Sequence, residues 1–154
     1  MTVQIGERAP AFCLPSSTGK QISLSGLCGK KVVLFFYPKD DTPGCVKEAC
    51  GFRDSIPEFH KNNIALFGIS ADGLESHDKF ISKYQLNFPL LSDEEKQMSS
   101  QYGAWGEKVV YGKKTVGMNR MTFLINEDGI LVKVWEKVTP EGHAEEVLQA
   151  INDM

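Results

Sequence analysis

The segment that decides the fold spans residues 31–50 and reads KVVLFFYPKDDTPGCVKEAC. Its first part is a continuous run of β-branched, aliphatic and aromatic side chains, a pattern typical of a strand buried at the centre of a sheet. Pro38 ends this strand, and a polar loop follows. Thr42 or a neighbour is suited to capping a helix and Pro43 to its first turn, so we predict a helix from about Cys45 to Lys61. The segment is thus a strand–loop–helix unit with a cysteine at the start of the helix.

The rest of the chain continues the alternation of strands and helices. The patterns predict strands over 64–69, 87–91, 121–125 and 130–135. They predict helices from near Ser76 to Tyr84, over 94–102, and from Thr139 to about Ile151. No internal repeat, low-complexity tract or linker interrupts the sequence. This order predicts an α/β fold with a mixed central sheet flanked by helices, in one domain over residues 1–154.

Composition excludes several classes of function. The net charge is -3 and the basic residues are scattered, so we expect no nucleic-acid partner. No apolar run approaches the roughly 20 residues of a membrane span, and no secretory signal is recognisable, so a cytoplasmic location is expected. The four cysteines are therefore expected to be core residues, metal ligands or redox groups rather than a disulfide framework. Close pairs of metal ligands are missing, so neither metal nor cofactor is expected.

The position of Cys45 carries the chemistry. Unpaired backbone N–H groups and the positive end of the helix dipole stabilise an anion at a helix N-terminus, which favours a thiolate there. Thr42, three residues earlier, can place a hydroxyl beside the sulfur, and Pro38 can shield the sulfur from water. These residues predict a reactive thiol at the end of a buried strand.

The spacing Pro-x-x-x-Thr-x-x-Cys at Pro38, Thr42 and Cys45 resembles the active-site signature of the peroxiredoxins. Further matches are CGFR at residues 50–53, YGAWGE at 102–107 and RMTFLI at 120–125. Together they are similar to the bacterioferritin comigratory protein, or peroxiredoxin Q, branch of that family. The resemblance runs from GERAP at residues 6–10 to the last helix, and so covers nearly the whole chain.

The resemblance implies a thioredoxin-like fold and thiol-dependent reduction of hydrogen peroxide and organic hydroperoxides. It implies Cys45 as the peroxidatic nucleophile and Arg120 as its guanidinium partner, although nothing local in the sequence places Arg120 near Cys45. It also implies recycling by thioredoxin or a similar dithiol protein, and a monomer or weak homodimer.

Cys50 is the candidate resolving residue, which would trap the sulfenic acid of Cys45 as a disulfide. Residues five apart in a continuous helix have Cα atoms about 8.6 Å apart, beyond the roughly 7 Å limit for a disulfide. Pairing would therefore require the first helical turns to unwind. Cys13, Cys28 or a small-molecule thiol remain alternatives, although Cys13 is expected in the core and Cys28 in a loop.

Ionisation of the thiol by itself explains little of the rate of a fast peroxidase. Lowering a thiol pKa from about 8.5 to about 6 raises the thiolate fraction at pH 7 roughly thirtyfold. The accompanying loss of nucleophilicity removes roughly tenfold, on a Brønsted slope taken from thiol–disulfide exchange. The remaining rate must come from orienting the peroxide and stabilising the leaving oxygen, for which Arg120, Thr42 and the loop N–H groups are the candidates.

The remaining polar and aromatic residues have simpler interpretations. Glu48 is expected to be a structural partner of Lys47, Arg53 or Arg120, and the three histidines to be solvated helix residues. Trp105 and Tyr111 are expected to line a loop near the active site or an interface. A disulfide reductase is disfavoured because Cys45 and Cys50 do not form Cys-x-x-Cys. A metal-storage protein and a holdase chaperone find no support in the residues.

Overall fold

The computed structural model describes residues 3–154 and has an α/β architecture. None of the helices in this part of the chain combines the length and apolar character that a membrane span needs. The strands are β1 Cys13–Pro15, β2 Gln21–Ser23, β3 Lys31–Phe36, β4 Ile64–Ser70, β5 Leu90–Ser92, β6 Trp105–Val110, β7 Lys113–Met118, β8 Met121–Ile125 and β9 Leu131–Trp135. The helices are α1 Pro43–Lys61, α2 Leu74–Tyr84, α3 Gln97–Gln101 and α4 His143–Asn152, and a 3-10 turn covers Leu24–Leu27.

The central sheet has five strands in the order β5-β4-β3-β8-β9, and it is mixed as predicted. β3 runs parallel to β4 and antiparallel to β8, so β3 lies in the middle. Residues 32–37 are all buried, because hydrophobic clusters cover both faces of the sheet at this strand. This explains why the β3 sequence is continuously apolar rather than alternating.

Helices α1 and α4 pack on the face of the sheet to which Val33, Phe35 and Tyr37 belong. Phe52 of α1 stacks on Phe35, with ring centroids 4.6 Å apart. The aromatic contact fixes α1 against the central strand directly downstream of Cys45. The first turn of α1 therefore lies at the carboxyl end of β3.

The antiparallel pairing of β3 with β8 brings a distant segment to the same place. Phe36, the last residue of β3, is opposite Met121, the first residue of β8. Arg120 immediately precedes β8 and so lies beside the loop that leaves β3. The register of one strand pair thus unites residues that are 75 positions apart in sequence.

The structure corrects several predicted boundaries. α4 begins at His143 rather than Thr139, because Gly142 has a left-handed φ of +79° that a helix cannot contain. The helix predicted over 94–102 is limited to Gln97–Gln101, since Lys96 has a φ of +58°. The strand predicted over 87–91 is Leu90–Ser92.

Residues 105–118 form a hairpin that the sequence analysis did not predict. Trp105 belongs to strand β6, and Tyr111 lies fully exposed in the two-residue turn between β6 and β7. Tyr111 and Gly112 both have positive φ, as the favoured hairpin turns require. The expectation that Trp105 and Tyr111 line a loop is therefore wrong for Trp105, which belongs to a strand.

Candidate active site

Cys45 is the third residue of α1 and is completely buried. The first helical hydrogen bond is donated by the N–H of Val46 to the carbonyl oxygen of Thr42, at 2.8 Å. The N–H groups of Gly44 and Cys45 precede that bond and have no partner within the helix. The thiol therefore lies where backbone dipoles favour negative charge, as the sequence predicted.

The guanidinium of Arg120 contacts the thiol from the side of β8. Nη1 and Nη2 each lie 3.5 Å from Sγ of Cys45. Gly44 makes room for this approach, because a Cβ at that position would lie 3.0 Å from Nη2. Arg120 is thus brought to Cys45 by the fold, as the resemblance implied.

Glu48 is the second partner of Arg120. Of its three expected partners, Lys47, Arg53 and Arg120, Glu48 forms its ion pair with Arg120. Nη1 of Arg120 donates to Oε1 of Glu48 at 2.8 Å, and the Glu48 side chain is completely buried. Its Oε2 has no hydrogen-bond partner among the described residues. Burial raises the pKa of Glu48 to about 7, although the charge and hydrogen bond of Arg120 oppose the rise.

Arg120 stays protonated in this setting. Burial alone lowers its pKa, but the charge of Cys45 and the charge and hydrogen bond of Glu48 outweigh burial, so the pKa is raised. The guanidinium is therefore a permanent cation shared by a thiol and a carboxyl group. Ionisation of Glu48 neutralises part of the charge that would otherwise act on a Cys45 thiolate.

Thr42 and Pro38 occupy the loop that enters α1. Thr42 stands at the N-cap position, but its side chain makes no capping hydrogen bond. Its Oγ1 donates instead to the carbonyl oxygen of Lys39, at 2.9 Å, which leaves the oxygen lone pairs available as acceptors. Pro38 is half-buried between β3 and this loop.

The other cysteines are free and lie in different environments. Cys50 is half-buried in the same unbroken helix as Cys45, so the helical separation of about 8.6 Å applies. Cys28 precedes β3 whereas Cys45 follows it, so the strand, about 20 Å long, separates them. Cys13 is exposed, which corrects its expected place in the core.

Two histidines are buried, contrary to expectation, whereas His60 is exposed as expected. Both ring nitrogens of His143 have side-chain partners, Thr122 Oγ1 and Glu146 Oε1, each at 2.8 Å. Burial lowers the pKa of His143, and the nearby Arg120 charge lowers it further. The hydrogen bond and charge of Glu146 oppose this change. His77 lies with Asp40 and Ser76 in a separate polar cluster under the loop between β3 and α1. The burial of His77 and His143 could not be predicted from their positions on helices, because it depends on which other elements pack against those helices.

Comparison with known proteins identifies the family. Residues 5–134 match the AhpC/TSA family. A putative peroxiredoxin Bcp of Coxiella burnetii is 49% identical over 148 residues, which are 96% of this chain and 98% of that protein. The chain belongs to the AhpC/TSA family, in its Bcp peroxiredoxin branch. Peroxiredoxin Bcp of Bacillus subtilis is 44% identical over 154 residues, 100% of this chain and 98% of that protein.

Solved structures agree with this assignment and confirm the thioredoxin-like peroxiredoxin fold. The Xanthomonas campestris bacterioferritin comigratory protein has a TM-score of 0.90 at 37% identity, covering 97% of this chain and 98% of that chain. A cysteine-to-serine mutant of Xylella fastidiosa PrxQ has a TM-score of 0.93 at 34% identity, covering 99% of this chain and 98% of that chain. As a peroxiredoxin, the chain is a thiol peroxidase that reduces peroxide at the expense of a thiol reductant.

The raised pKa of Glu48 makes stability depend on pH. The unfolded chain ionises this carboxyl near its ordinary value of 4.5, whereas the folded protein keeps the proton until about 7. The free energy of unfolding should therefore fall as pH rises from about 4.5 through about 7, by about 3 kcal/mol at most. Urea unfolding at pH 5 and pH 8 measures the fall.

Glu48→Gln should remove most of this pH dependence, because the glutamine stays neutral. Glu58→Gln is the matched control, since Glu58 lies exposed on the same helix. Parallel stability–pH curves for wild type and Glu48→Gln would contradict the interpretation.

Proposed function

We propose that Cys45 is the peroxidatic nucleophile of this enzyme, that Arg120 activates it together with the N-terminus of α1, and that Cys50 resolves the oxidised thiol. The observation that carries the proposal is the guanidinium of Arg120, with two nitrogens 3.5 Å from Sγ of Cys45. Thr42 and Pro38 complete the proposed site.

The proposed reaction begins with attack of the Cys45 thiolate on one oxygen of the peroxide. The S–O bond forms as the O–O bond breaks, and the leaving oxygen takes a proton to become water or an alcohol. Cys45 becomes a sulfenic acid. The thiolate of Cys50 attacks its sulfur, the S–S bond forms as the S–O bond breaks, and the leaving hydroxide takes a proton to become water. A dithiol protein such as thioredoxin then reduces the disulfide and returns both thiols.

Charge development explains the proposed role of Arg120. Negative charge moves from the sulfur to the leaving oxygen during attack, and the guanidinium offers several N–H donors in a fixed plane to follow it. Complete burial of Cys45 strengthens these interactions, because water does not screen them. The N–H groups of Gly44 and Cys45 are further donors toward a bound peroxide oxygen.

The substrate range and the setting belong to the same proposal. The Xanthomonas campestris relative is a protein in which alkyl peroxide reduction has been studied, which supports organic hydroperoxides as substrates here besides hydrogen peroxide. We further propose thioredoxin as the reductant, a cytoplasmic location, and a monomer or weak homodimer as the working form.

Peroxide consumption with thioredoxin, its reductase and NADPH tests the cysteine roles. Cys45→Ser should be inactive because it lacks the nucleophile. Cys50→Ser should complete one turnover and then cycle poorly, because the sulfenic acid lacks its internal partner. Cys13→Ser and Cys28→Ser are the controls and should cycle like wild type. Full activity of Cys45→Ser would refute the proposal, and normal cycling of Cys50→Ser would assign resolution to another thiol.

Substitution of Arg120 separates positioning from ionisation. Arg120→Lys keeps the positive charge but loses the planar set of donors, so peroxide attack should slow about 100-fold. The ionised fraction of the Cys45 thiol at pH 7, followed by thiolate absorbance, should change little. Arg8→Lys, an exposed arginine, is the control. A loss of thiolate that accounted for the whole rate loss would overturn this assignment of roles.

Formation of the Cys45–Cys50 disulfide should unwind the start of α1, because the continuous helix keeps the two residues too far apart. Hydrogen exchange over residues 44–53 and far-ultraviolet circular dichroism compare the reduced and oxidised proteins. Faster exchange and lower helicity are expected on oxidation, and Cys50→Ser treated in the same way should show neither. Identical protection in the two redox states would reject the unwinding.

A further inference from the structure

A second buried polar cluster lies under the active-site loop, which we define as residues 37–42 between β3 and α1. Its centre is Asp40, which is 7% exposed. Oδ1 of Asp40 accepts a hydrogen bond from the hydroxyl of Tyr37 at 2.6 Å. Oδ2 accepts from Ser76 Oγ at 2.8 Å and lies 2.7 Å from Nδ1 of His77. One carboxylate thus joins the active-site loop to α2.

The backbone of the same residue is held from another direction. The N–H of Asp40 donates to Oδ2 of Asp72 at 2.8 Å, and Ser70 Oγ donates to the same oxygen at 2.8 Å. Ser70 ends β4 and Asp72 follows it, so the loop is also anchored to the central sheet. By contrast, the ion pair of Asp41 with Lys83 lies at the exposed surface, where such pairs contribute little.

The contacts of His77 are suited to a ring that carries hydrogen on both nitrogens. Nδ1 faces the Asp40 carboxylate, and Nε2 lies 2.9 Å from the carbonyl oxygen of Leu91. Both partners are acceptors, whereas a neutral imidazole has a single N–H. The geometry therefore corresponds to a buried imidazolium–carboxylate pair, with the His77 side chain 0% exposed.

The charges around the ring agree with this state. Burial alone lowers the pKa of His77, but the hydrogen bond and charge of Asp40, the Leu91 carbonyl and the charge of Asp72 together raise it. Tyr37, the first residue of the active-site loop, faces the ring with centroids 6.5 Å apart. Burial, followed by the Asp40 charge, raises the pKa of its hydroxyl, so it remains a donor. On α2 itself, Glu75, Asp78 and Lys79 are exposed to solvent.

We propose that Asp40 and His77 form a buried clamp that positions the active-site loop and so sets the balance between peroxide attack and disulfide formation. The clamp rests on the proposed role of Cys45, five residues after Asp40. It holds the loop from which Thr42 and the first turn of α1 continue. Asp40 and His77 are positioning residues, since they act through the loop.

The two chemical steps place opposite demands on this loop. Attack needs the first turn of α1 folded, because only then do its N–H groups and Arg120 surround the thiol. Pairing with Cys50 needs the same turn unwound. A weaker clamp should therefore slow attack and accelerate disulfide formation, whereas a clamp that merely supports the fold would change neither step selectively.

The charge of His77 also fixes the direction of the pH effect. Since its pKa is raised in the folded protein, the clamp is complete below the ordinary histidine value of 6.5 and is lost as pH rises through the raised value. A variant that cannot ionise at this position lacks that titration. The variant is compared with wild type as a ratio of rates, so that pH effects common to both proteins cancel.

The test uses His77→Asn and Asp40→Asn in the full chain, with Leu86→Ala as the control. Asparagine at residue 77 can still donate one hydrogen bond but carries no charge. Leu86 is a buried residue after α2 that does not belong to the polar cluster, so its truncation weakens the packing of α2 without changing Asp40. Global stabilities of the three variants are measured first, so that rates are compared at matched stability.

Hydrogen exchange of the reduced proteins, without peroxide, measures the hold on the loop. Amides of residues 40–46 should exchange about tenfold faster in both clamp variants, the effect of losing one charge-assisted hydrogen bond. Exchange no faster than in Leu86→Ala would overturn the clamp. This readout needs no catalysis, so it decides the clamp even if Cys45 proves unreactive and the proposed function fails.

Rapid quenching and mass spectrometry after one equivalent of hydrogen peroxide then separate the two steps. At pH 6, His77→Asn should form the Cys45 sulfenic acid more slowly than wild type and convert it to disulfide faster, so that the ratio of the two rates changes by about tenfold. The difference should shrink as pH rises through the raised pKa of His77. Equal slowing of both steps, or a ratio independent of pH, would refute the clamp. Absence of any Cys45 oxidation in wild type would refute the proposed function separately.

Discussion

The site depends on one guanidinium that lies between a buried thiol and a buried carboxyl group. Arg120 contacts Cys45 and Glu48 at once, and neither partner has access to solvent. A partly buried cation requires compensating partners, so the fold must bring all three groups together. The β3–β8 register positions Arg120, and the first two turns of α1 position Cys45 and Glu48. Gly44, which has no Cβ, leaves room for the guanidinium of Arg120.

The proposed reaction places two demands on this region. In it, the first turn of α1 is folded for peroxide attack and unwound for the pairing of Cys45 with Cys50. The loop before it is held by hydrogen bonds of Asp40 to α2 and to Asp72 after β4, in addition to the packing of Tyr37 in the core. Hydrogen bonds of this kind are directional, and the contact between Asp40 and His77 depends on the protonation of the ring.

Local patterns in the sequence were sufficient for the centre of the fold but not for its long-range contacts. The apolar run of β3 and the proline-containing loop predicted the strand, the loop and the start of α1. Arg120 could be assigned only through family resemblance, because its contact with Cys45 depends on strand register. The β6–β7 hairpin was missed because Tyr111 stands at a positive φ usually given to glycine or asparagine. The burial of His77 and His143 depends on tertiary packing, which helical periodicity does not predict.

In the proposed cycle, peroxide oxidises Cys45, and Cys50 then pairs with it. Peptide mass spectrometry of the reduced protein after one equivalent of hydrogen peroxide, with free thiols alkylated at quenching, measures this directly. We expect a single Cys45–Cys50 disulfide, with Cys13 and Cys28 recovered in alkylated form. Recovery of alkylated Cys45 beside oxidised Cys13 or Cys28 would contradict it.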